Sequence, residues 1–546
     1  MKKKSIISVV TLLCLSTLLW GGVALKSIQE EYWNHLVLIG AAERPTLNWR
    51  TLSDNTFTIL DETKDIWHLG SKQQGPATLY GPEYYSSYNS AYPYGQNDGA
   101  LWQGKGFNAQ LKFGIGFTSQ GFDFILKPEF DFSQNQYFKI MDSFGRYDSE
   151  YAYYWSNLDL PQRFGNDPVF TFDWGDSEVR YSVGTFTIGF GTQALWLGPG
   201  WLNAILHSNN APTYPRFDFG LRKTKITLPW LNWYIGDIEV RFWAGRTGYS
   251  SYYKTGYDKK HMFITGTSAA YAPSFLPGLT LSLNTIVIAP WTSDNWKQLF
   301  GLATAWIGNG DEDGKAELSA DWLFPQVGLE IYGSLGVDDY LPGNRFQAYV
   351  RYPFHTMVYQ AGIKKAITVS ERHNLSGELI FEWTNMEMSQ DAQTQWAYNF
   401  YSHGPTSLTN YGQIMGAGSG WAGNSQILAF KLYYPKGTST LYVERNNPDN
   451  NYIYQKVIGM SDKDGTNQTN REQYFSAFKA NFAIGLQSSY FLSKQLTVSG
   501  GLVYNMVLND LYKTDGSGDY TSITLPTGVN TLLNNLRIEF GFVYNT

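Results

Sequence analysis

Cysteine is almost missing from this chain of 546 residues: Cys14 is the only one, and it lies in an apolar N-terminal run. Disulfides and thiol chemistry are therefore excluded from everything downstream. Charge is sparse as well, at 16% of residues against the usual quarter. The net charge of −6 leaves no basic excess to neutralise phosphates, which argues against nucleic acid as a partner. No Cys/His cluster suggests zinc, and no Walker-type P-loop suggests a nucleotide. Past the N-terminus no apolar run approaches the length of a spanning helix, so a membrane protein built from this chain has to be a closed barrel.

Aromatics and glycine are abundant instead. Aromatics make up 17% of residues, with 39 Tyr, and there are 54 Gly. Tyr, Trp and Phe in excess suit the two interfacial girdles of a membrane barrel. Residues 1–24 read as a secretory signal peptide: Lys2, Lys3 and Lys4, an apolar stretch, then Gly22-Val23-Ala24 as a cleavage site. The alternative is an uncleaved anchor, since residues 5–25 carry no charge. Residues 25–100 are the least regular and read as a periplasmic lead-in segment, with a short helix over 29–40. Residues 101–546 read as the outer-membrane barrel.

From Phe107 the pattern has period two. Leu111, Phe113, Ile115 and Phe117 alternate with Lys112, Gly114 and Gly116. Ile331 and Leu335 alternate with Glu330, Tyr332 and Ser334; the runs 346–354, 478–487 and 536–545 behave alike. A soluble sandwich also alternates, but these strands are long and their apolar faces end in aromatics. The fold class is therefore all-β: a transmembrane antiparallel barrel of roughly 18 strands, with long extracellular loops and a periplasmic N-terminal segment. Tight inner turns are expected at 229–234, 273–278, 309–314, 370–373, 435–437 and 493–494. Long outer loops are expected at 193–215, 248–260, 385–425, 446–472 and 510–531. The long connection 133–175 breaks the rule by falling on the periplasmic side, as a cap from below or as a miscounted strand. Lys112, Glu330, Arg351, Lys479, Arg537 and Glu539 fall on lumen faces, where charges pair or line a water path.

Four stretches carry a resemblance: 92–107 (YPYGQNDGALWQGKGF), 197–212 (LGPGWLNAILHSNNAP), 327–340 (VGLEIYGSLGVDDY) and 401–426 (YSHGPTSLTNYGQIMGAGSGWAGNSQ). In order and together they resemble the capsule-assembly Wzi family of outer-membrane barrels. The resemblance implies a lectin-like barrel of about 18 strands with a blocked lumen, helping to attach exported or capsular polysaccharide to the cell surface. Two features depart from the family: no cluster of amphipathic helices is evident, and the chain ends in Asn545-Thr546 rather than in an aromatic.

Sugar recognition needs flat apolar faces and fixed polar groups, and two outer loops supply both. The candidates for polysaccharide binding are Trp196, Trp201, Asn203, Asn209 and Asn210 in one loop, and Tyr401, His403, Tyr411, Trp421 and Asn424 in the other. The plain alternative for each is a structural role inside its loop. His207 and Ser208 invite a hydrolase reading, but extended neighbours point apart. The acidic runs 309–314 and 462–467 lack a closing bidentate Glu and read as turns rather than Ca²⁺ loops. The expectation is a monomeric, non-enzymatic barrel without cofactor, metal or catalytic residues. Its partners are polysaccharide, outer-membrane lipid and the barrel-assembly machinery. A porin for small solutes, a glycan-free adhesin and a lipid hydrolase are the rivals.

Overall fold

The computed structural model describes residues 23–69, 76–141, 149–154, 158–253, 261–292, 312–338, 357–387, 399–403, 406–452, 478–511 and 532–544. Among the described residues one α-helix, α1 (Ile28–Leu38), precedes the barrel; Ser27 caps it by accepting the Glu30 N–H at 3.2 Å. The strands are β1 (Ala77–Asn89), β2 (Gly106–Ser119), β3 (Phe122–Leu126 with Glu129–Ser133), β4 (Val169–Asp173 with Glu178–Val183) and β5 (Phe186–Gly191). They continue as β6 (Arg216–Leu228), β7 (Trp233–Gly248), β8 (His261–Pro273), β9 (Leu279–Pro290), β10 (Asp313–Phe324), β11 (Leu329–Asp338) and β12 (Met357–Ser370). The last six are β13 (Leu375–Asn385), β14 (Asn424–Tyr434), β15 (Gly437–Asn447), β16 (Ala480–Phe491), β17 (Leu496–Leu508) and β18 (Leu532–Tyr544). All 18 pair antiparallel with their sequence neighbours, and β18 closes on β1 with Phe540 opposite Ser86.

The period-two pattern is what builds this wall. On β2, Leu111, Phe113, Ile115 and Phe117 point outward, while Asn108 and Gln110 are buried inside. An outward apolar band around a closed barrel is a lipid face. Trp230, Trp233 and Phe275 crowd the short-turn end of the band as an aromatic girdle, with Trp230 93% exposed.

The parity of turns and loops is regular throughout. Every even strand passes to the next odd one through a short connection, as at 119–122, 183–186 and 434–437. Every odd strand passes to the next even one through a long connection at the other end. Three expectations need correction. The barrel begins at Ala77, before the expected boundary at 101, because Tyr84, Ser86 and Tyr88 register with both β18 and β2. With that strand counted, and with a hairpin separating β4 from β5, the connection between Ser133 and Val169 joins the other long loops and no longer breaks the rule. The expected tight turn at 309–314 is not an inner turn: Asp313 opens β10, and the short connection is at Pro325–Val327, after that strand. Residues 1–22, 346–354 and 462–467, and with them most of the expected signal peptide, lie outside the described residues.

The expected lead-in segment folds into the lumen. From Lys26 to Trp67 it runs along the inner wall of β6–β14. The His35 ring meets Glu378 on β13 at 3.1 Å. Arg44 bridges Asp321 on β10 (2.6 Å) and Glu330 on β11 (2.8 Å). The Asn48 amide donates to Ser268 on β8 and Asn284 on β9, both at 2.6 Å. Asp54 accepts from Arg241 on β7 at 2.9 Å, and the Trp67 indole donates to the Tyr434 carbonyl at 2.8 Å. A single carboxylate, Glu239 on β7, takes the consecutive N–H groups of Leu47, Asn48 and Trp49 at 3.0, 3.0 and 2.7 Å. Charge-assisted bonds of this kind are about twice as strong as neutral ones. The lumen-side charges are engaged as well: Lys112 with Glu129 at 2.9 Å, Arg537 with Glu539 at 2.6 Å, Glu330 with Lys364 at 3.1 Å.

Candidate functional site

Two loops enter the lumen from the long-loop end and meet the N-terminal segment there. The connection 192–215 is held by Glu382 on β13, which accepts the N–H groups of Trp201, Leu202 and Asn203 at 2.5, 3.2 and 2.9 Å and the Tyr332 hydroxyl at 2.7 Å. This repeats the Glu239 arrangement one layer up. The connection 399–423 packs on it. Glycine permits the fit: a Cβ on Gly200 would stand 1.8 Å from the Asn203 carbonyl oxygen, and one on Gly416 2.3 Å from that of Ile205. Leu197, Ile205, Leu206, Tyr401, Leu408 and Met415 join Trp49, Trp243 and Ile264 in one buried cluster.

Beside this filling, on the opposite side of the lumen, lies a cavity of about 620 Å³. Its wall comes from β14–β18 and β1, through Lys431, Tyr442, Glu444, Asn481, Arg537 and Tyr85. Its other side is formed by Trp201 and the 92–103 stretch, and its mouth by Trp421, Tyr153, Lys479 and Asp510.

The structure brings Trp201, Asn210 and Trp421 together on this cavity. The Trp201 indole N–H donates to Glu31 at 3.1 Å, and the Lys431 ammonium lies 4.7 Å from its ring centroid. Trp421 donates to the Tyr153 hydroxyl at 3.1 Å. Asn210 accepts the Asn97 N–H at 2.9 Å, and Asn209 donates to the Asn97 carbonyl at 3.1 Å beside it.

The other candidates sit elsewhere. Trp196 is fully buried, with Lys26 and Arg50 over its ring. Asn203 is buried and donates to Ser419 at 2.9 Å. The buried Tyr401 hydroxyl donates to the Ile205 carbonyl and accepts the Ala417 N–H, each at 2.8 Å. Burial, together with satisfied hydrogen bonds for Asn203 and Tyr401, gives these three a structural place in the plug. Tyr411 is half exposed and packs on Gly248 away from the cavity. Asn424 opens β14 and bonds Glu387 and Arg445. His403 pairs through its backbone with Thr406; its side chain lies outside the described residues.

Tyr92, Tyr94, Trp102 and Asp98, which line the cavity, were not among the candidates. They belong to the 92–107 stretch, whose mixture of aromatic, glycine and amide residues matches that of the two chosen loops. Glu444 and Tyr442 carry no such signal, because on β15 they read only as inward positions.

His207 and Ser208 do not form a base–nucleophile pair. The imidazole contacts the Leu195 carbonyl and the Tyr214 hydroxyl, each at 2.8 Å, and Ser208 donates to the Gly416 carbonyl at 2.6 Å. Burial, aided by Arg216, pulls the His207 imidazole down to about 3, so it is neutral at physiological pH. Among the described residues no group of His, Cys, Asp and Glu is placed to hold a metal ion.

Comparison with known proteins agrees with this architecture. A solved structure of Escherichia coli Wzi, described as an outer membrane protein involved in group 1 capsule assembly and a carbohydrate-binding β-barrel, matches with a TM-score of 0.54. It is 12% identical, over 97% of this chain and 99% of that one, which establishes likeness of fold. Pseudomonas putida OprB (TM-score 0.37, 11% identity, 86% and 94% covered) and a Rhodopseudomonas blastica porin mutant (0.32, 10%, 86% and 100%) are more distant barrels and carry no argument. No curated protein sequence is significantly similar. The family model of the capsule assembly protein Wzi matches residues 91–515, from the first long connection into the last, and the chain belongs to that family of outer-membrane barrels.

Proposed function

We propose that this protein is a lectin-like barrel that binds exported or capsular polysaccharide at its long-loop end and helps attach or assemble it at the cell surface. It acts by binding rather than by catalysis, as a monomer delivered through a cleavable signal peptide and inserted by the barrel-assembly machinery. The observation that carries this reading is the cavity itself: Trp201 and Trp421 offer flat faces to sugar C–H surfaces, and Tyr92, Tyr94 and Asn210 offer polar groups beside them. The carbohydrate binding described for the E. coli relative supports it. The filled lumen along β6–β14 weighs against a general porin.

The test is retention of the producing cell's own surface polysaccharide by the purified, folded barrel. Saturable binding that is lost in Trp421→Ala is the expected result. A folded barrel that retains none, and instead conducts in a planar bilayer, would return the protein to the porin class.

A further inference from the structure

The cavity wall has a chemical sense that selects among glycans, and this inference rests on the polysaccharide-binding reading. The cations that reach the inner cavity are already engaged by the protein. Arg537 pairs with Glu539 at 2.6 Å and donates to the Tyr85 hydroxyl at 2.5 Å. Lys431 and Lys26 both pair with Glu31, and Lys26 also donates to the Trp201 carbonyl. The Lys479 ammonium donates to the Tyr92 hydroxyl at 2.6 Å. Lys139 lies toward the mouth, exposed to solvent.

The carboxylates are different. Glu444 is 6% exposed; one of its oxygens accepts from the Tyr94 hydroxyl at 3.0 Å, and the other, Oε1, makes no well-formed hydrogen bond, although the Gln96 and Ser425 side chains stand beside the carboxylate. Asp98 Oδ2, on the same cavity, is likewise without a well-formed bond, with the Gln103 amide beside the carboxylate. A buried acceptor without a donor is unfavourable, and more so when it is charged. An ionised carboxylate only accepts. The wall therefore has acceptors to offer, while the cations of the inner cavity are already engaged.

We propose that this cavity takes a glycan segment whose hydroxyls or amines donate to Glu444 and Asp98, and that it rejects a segment carrying a carboxylate at that position. A uronate there would be desolvated beside two acids. An aminosugar would bring an ammonium to either acid. The site therefore reads neutral or amine-bearing units of the chain, whatever charge the polymer carries elsewhere.

The experiment is a tryptophan-fluorescence titration of the full-length barrel, folded in detergent, with short oligomers of glucosamine, glucose and galacturonate at pH 7. The expected order is glucosamine, then glucose, then galacturonate, with at least about tenfold between first and last, one charge-assisted hydrogen bond's worth. The double variant D98N/E444Q should bring that span below about threefold. Should the double variant fail to insert, as judged by heat-modifiable gel migration, E444Q alone reads the same direction. Equal or tighter binding of galacturonate overturns the proposal, as does a selectivity that E444Q leaves intact. A barrel that retains the cell's own polysaccharide yet ranks the three probes alike fails this inference only. A folded barrel that binds no glycan fails the proposed function and this inference with it.

Discussion

Strands β6–β14 and strands β15–β18 with β1 show lipid the same face. Ile331 on β11 and Ile484 on β16 are 48% and 50% exposed, and both flank inward polar positions. Inside, the two halves diverge. The first half is covered by the N-terminal segment and the 192–215 connection, and two of its inward carboxylates hold them: Glu239 and Glu382 each take three consecutive backbone N–H groups. The second half is left facing a cavity, which Glu444 lines. An unpartnered carboxylate oxygen does not by itself separate the halves, since Glu317 and Asp321 on β10 have one as Glu444 does. What separates them is what lies against the inward face: packed chain on one side, a cavity open to a ligand on the other.

The largest expected effect comes from removing an anchor on the filled side. Glu382→Ala leaves three N–H groups and the Tyr332 hydroxyl without an acceptor, and should destabilise the folded barrel by about 3–5 kcal/mol. Thermal unfolding in detergent checks it, and bilayer conductance should rise as the loop comes free. An effect below about 1 kcal/mol would break the contrast between the halves.

A smaller effect separates inside from outside. Ile484→Arg puts charge on the lipid face and should impair insertion by about 2–4 kcal/mol near the midplane. Gln487→Arg, three residues on and facing the cavity beside Glu539, should be nearly neutral. The same change at Gln360 on the filled side, which is buried and donates to the Asn203 carbonyl at 2.9 Å, should approach the anchor effect. Refolding yield into lipid vesicles ranks the three; equal effects of Gln487→Arg and Gln360→Arg would show that the halves are not different.

The barrel was legible from alternation because lipid imposes it residue by residue: Phe113, Ile115 and Ile484 could be placed outside with no knowledge of their partners. The tightness of the short turns fixed most of the parity for a similar local reason. Ala77–Asn89 escaped because a register shift between Tyr80 and Glu83 interrupts the pattern. The fate of the lead-in segment was not legible, since nothing local distinguishes a polar strap in the lumen from one in the periplasm. The site was legible in composition only. Trp196 and Trp201 look equivalent five residues apart, and only the tertiary structure sends one into the plug and the other to the cavity.

That division gives the next test. Trp421→Ala should weaken binding of the cell's polysaccharide by about 2 kcal/mol, roughly thirtyfold, with a fall in thermal midpoint smaller than that of Glu382→Ala, because the ring is only partly buried where it packs on the plug cluster. If the midpoint falls as much as the affinity, Trp421 belongs to the plug and the mouth has to be redrawn.

The smallest effect has the opposite sign and concerns Asp98. Burial pushes its carboxyl up to about 6, against the pull of the Arg537 guanidinium, from an ordinary value near 3.8. The folded chain therefore keeps this proton to higher pH than the unfolded chain does. By linkage, stability falls as pH rises from about 4 to about 6 and stays at the lower level above that. Asp98→Asn removes the charge and keeps the shape, so at pH 7 it should raise stability by about 1–2 kcal/mol, allowing for partial exposure. It should also flatten the slope below pH 6. Removing a carboxylate would then stabilise the cavity side and destabilise the filled side, as expected where a charge is held for a ligand rather than for the fold. Thermal midpoints of the wild type and Asp98→Asn at pH 4.5 and 7 decide it. A loss of stability at pH 7 would mean that Asp98 is one more anchor, and the cavity would lose one of its two free acceptors.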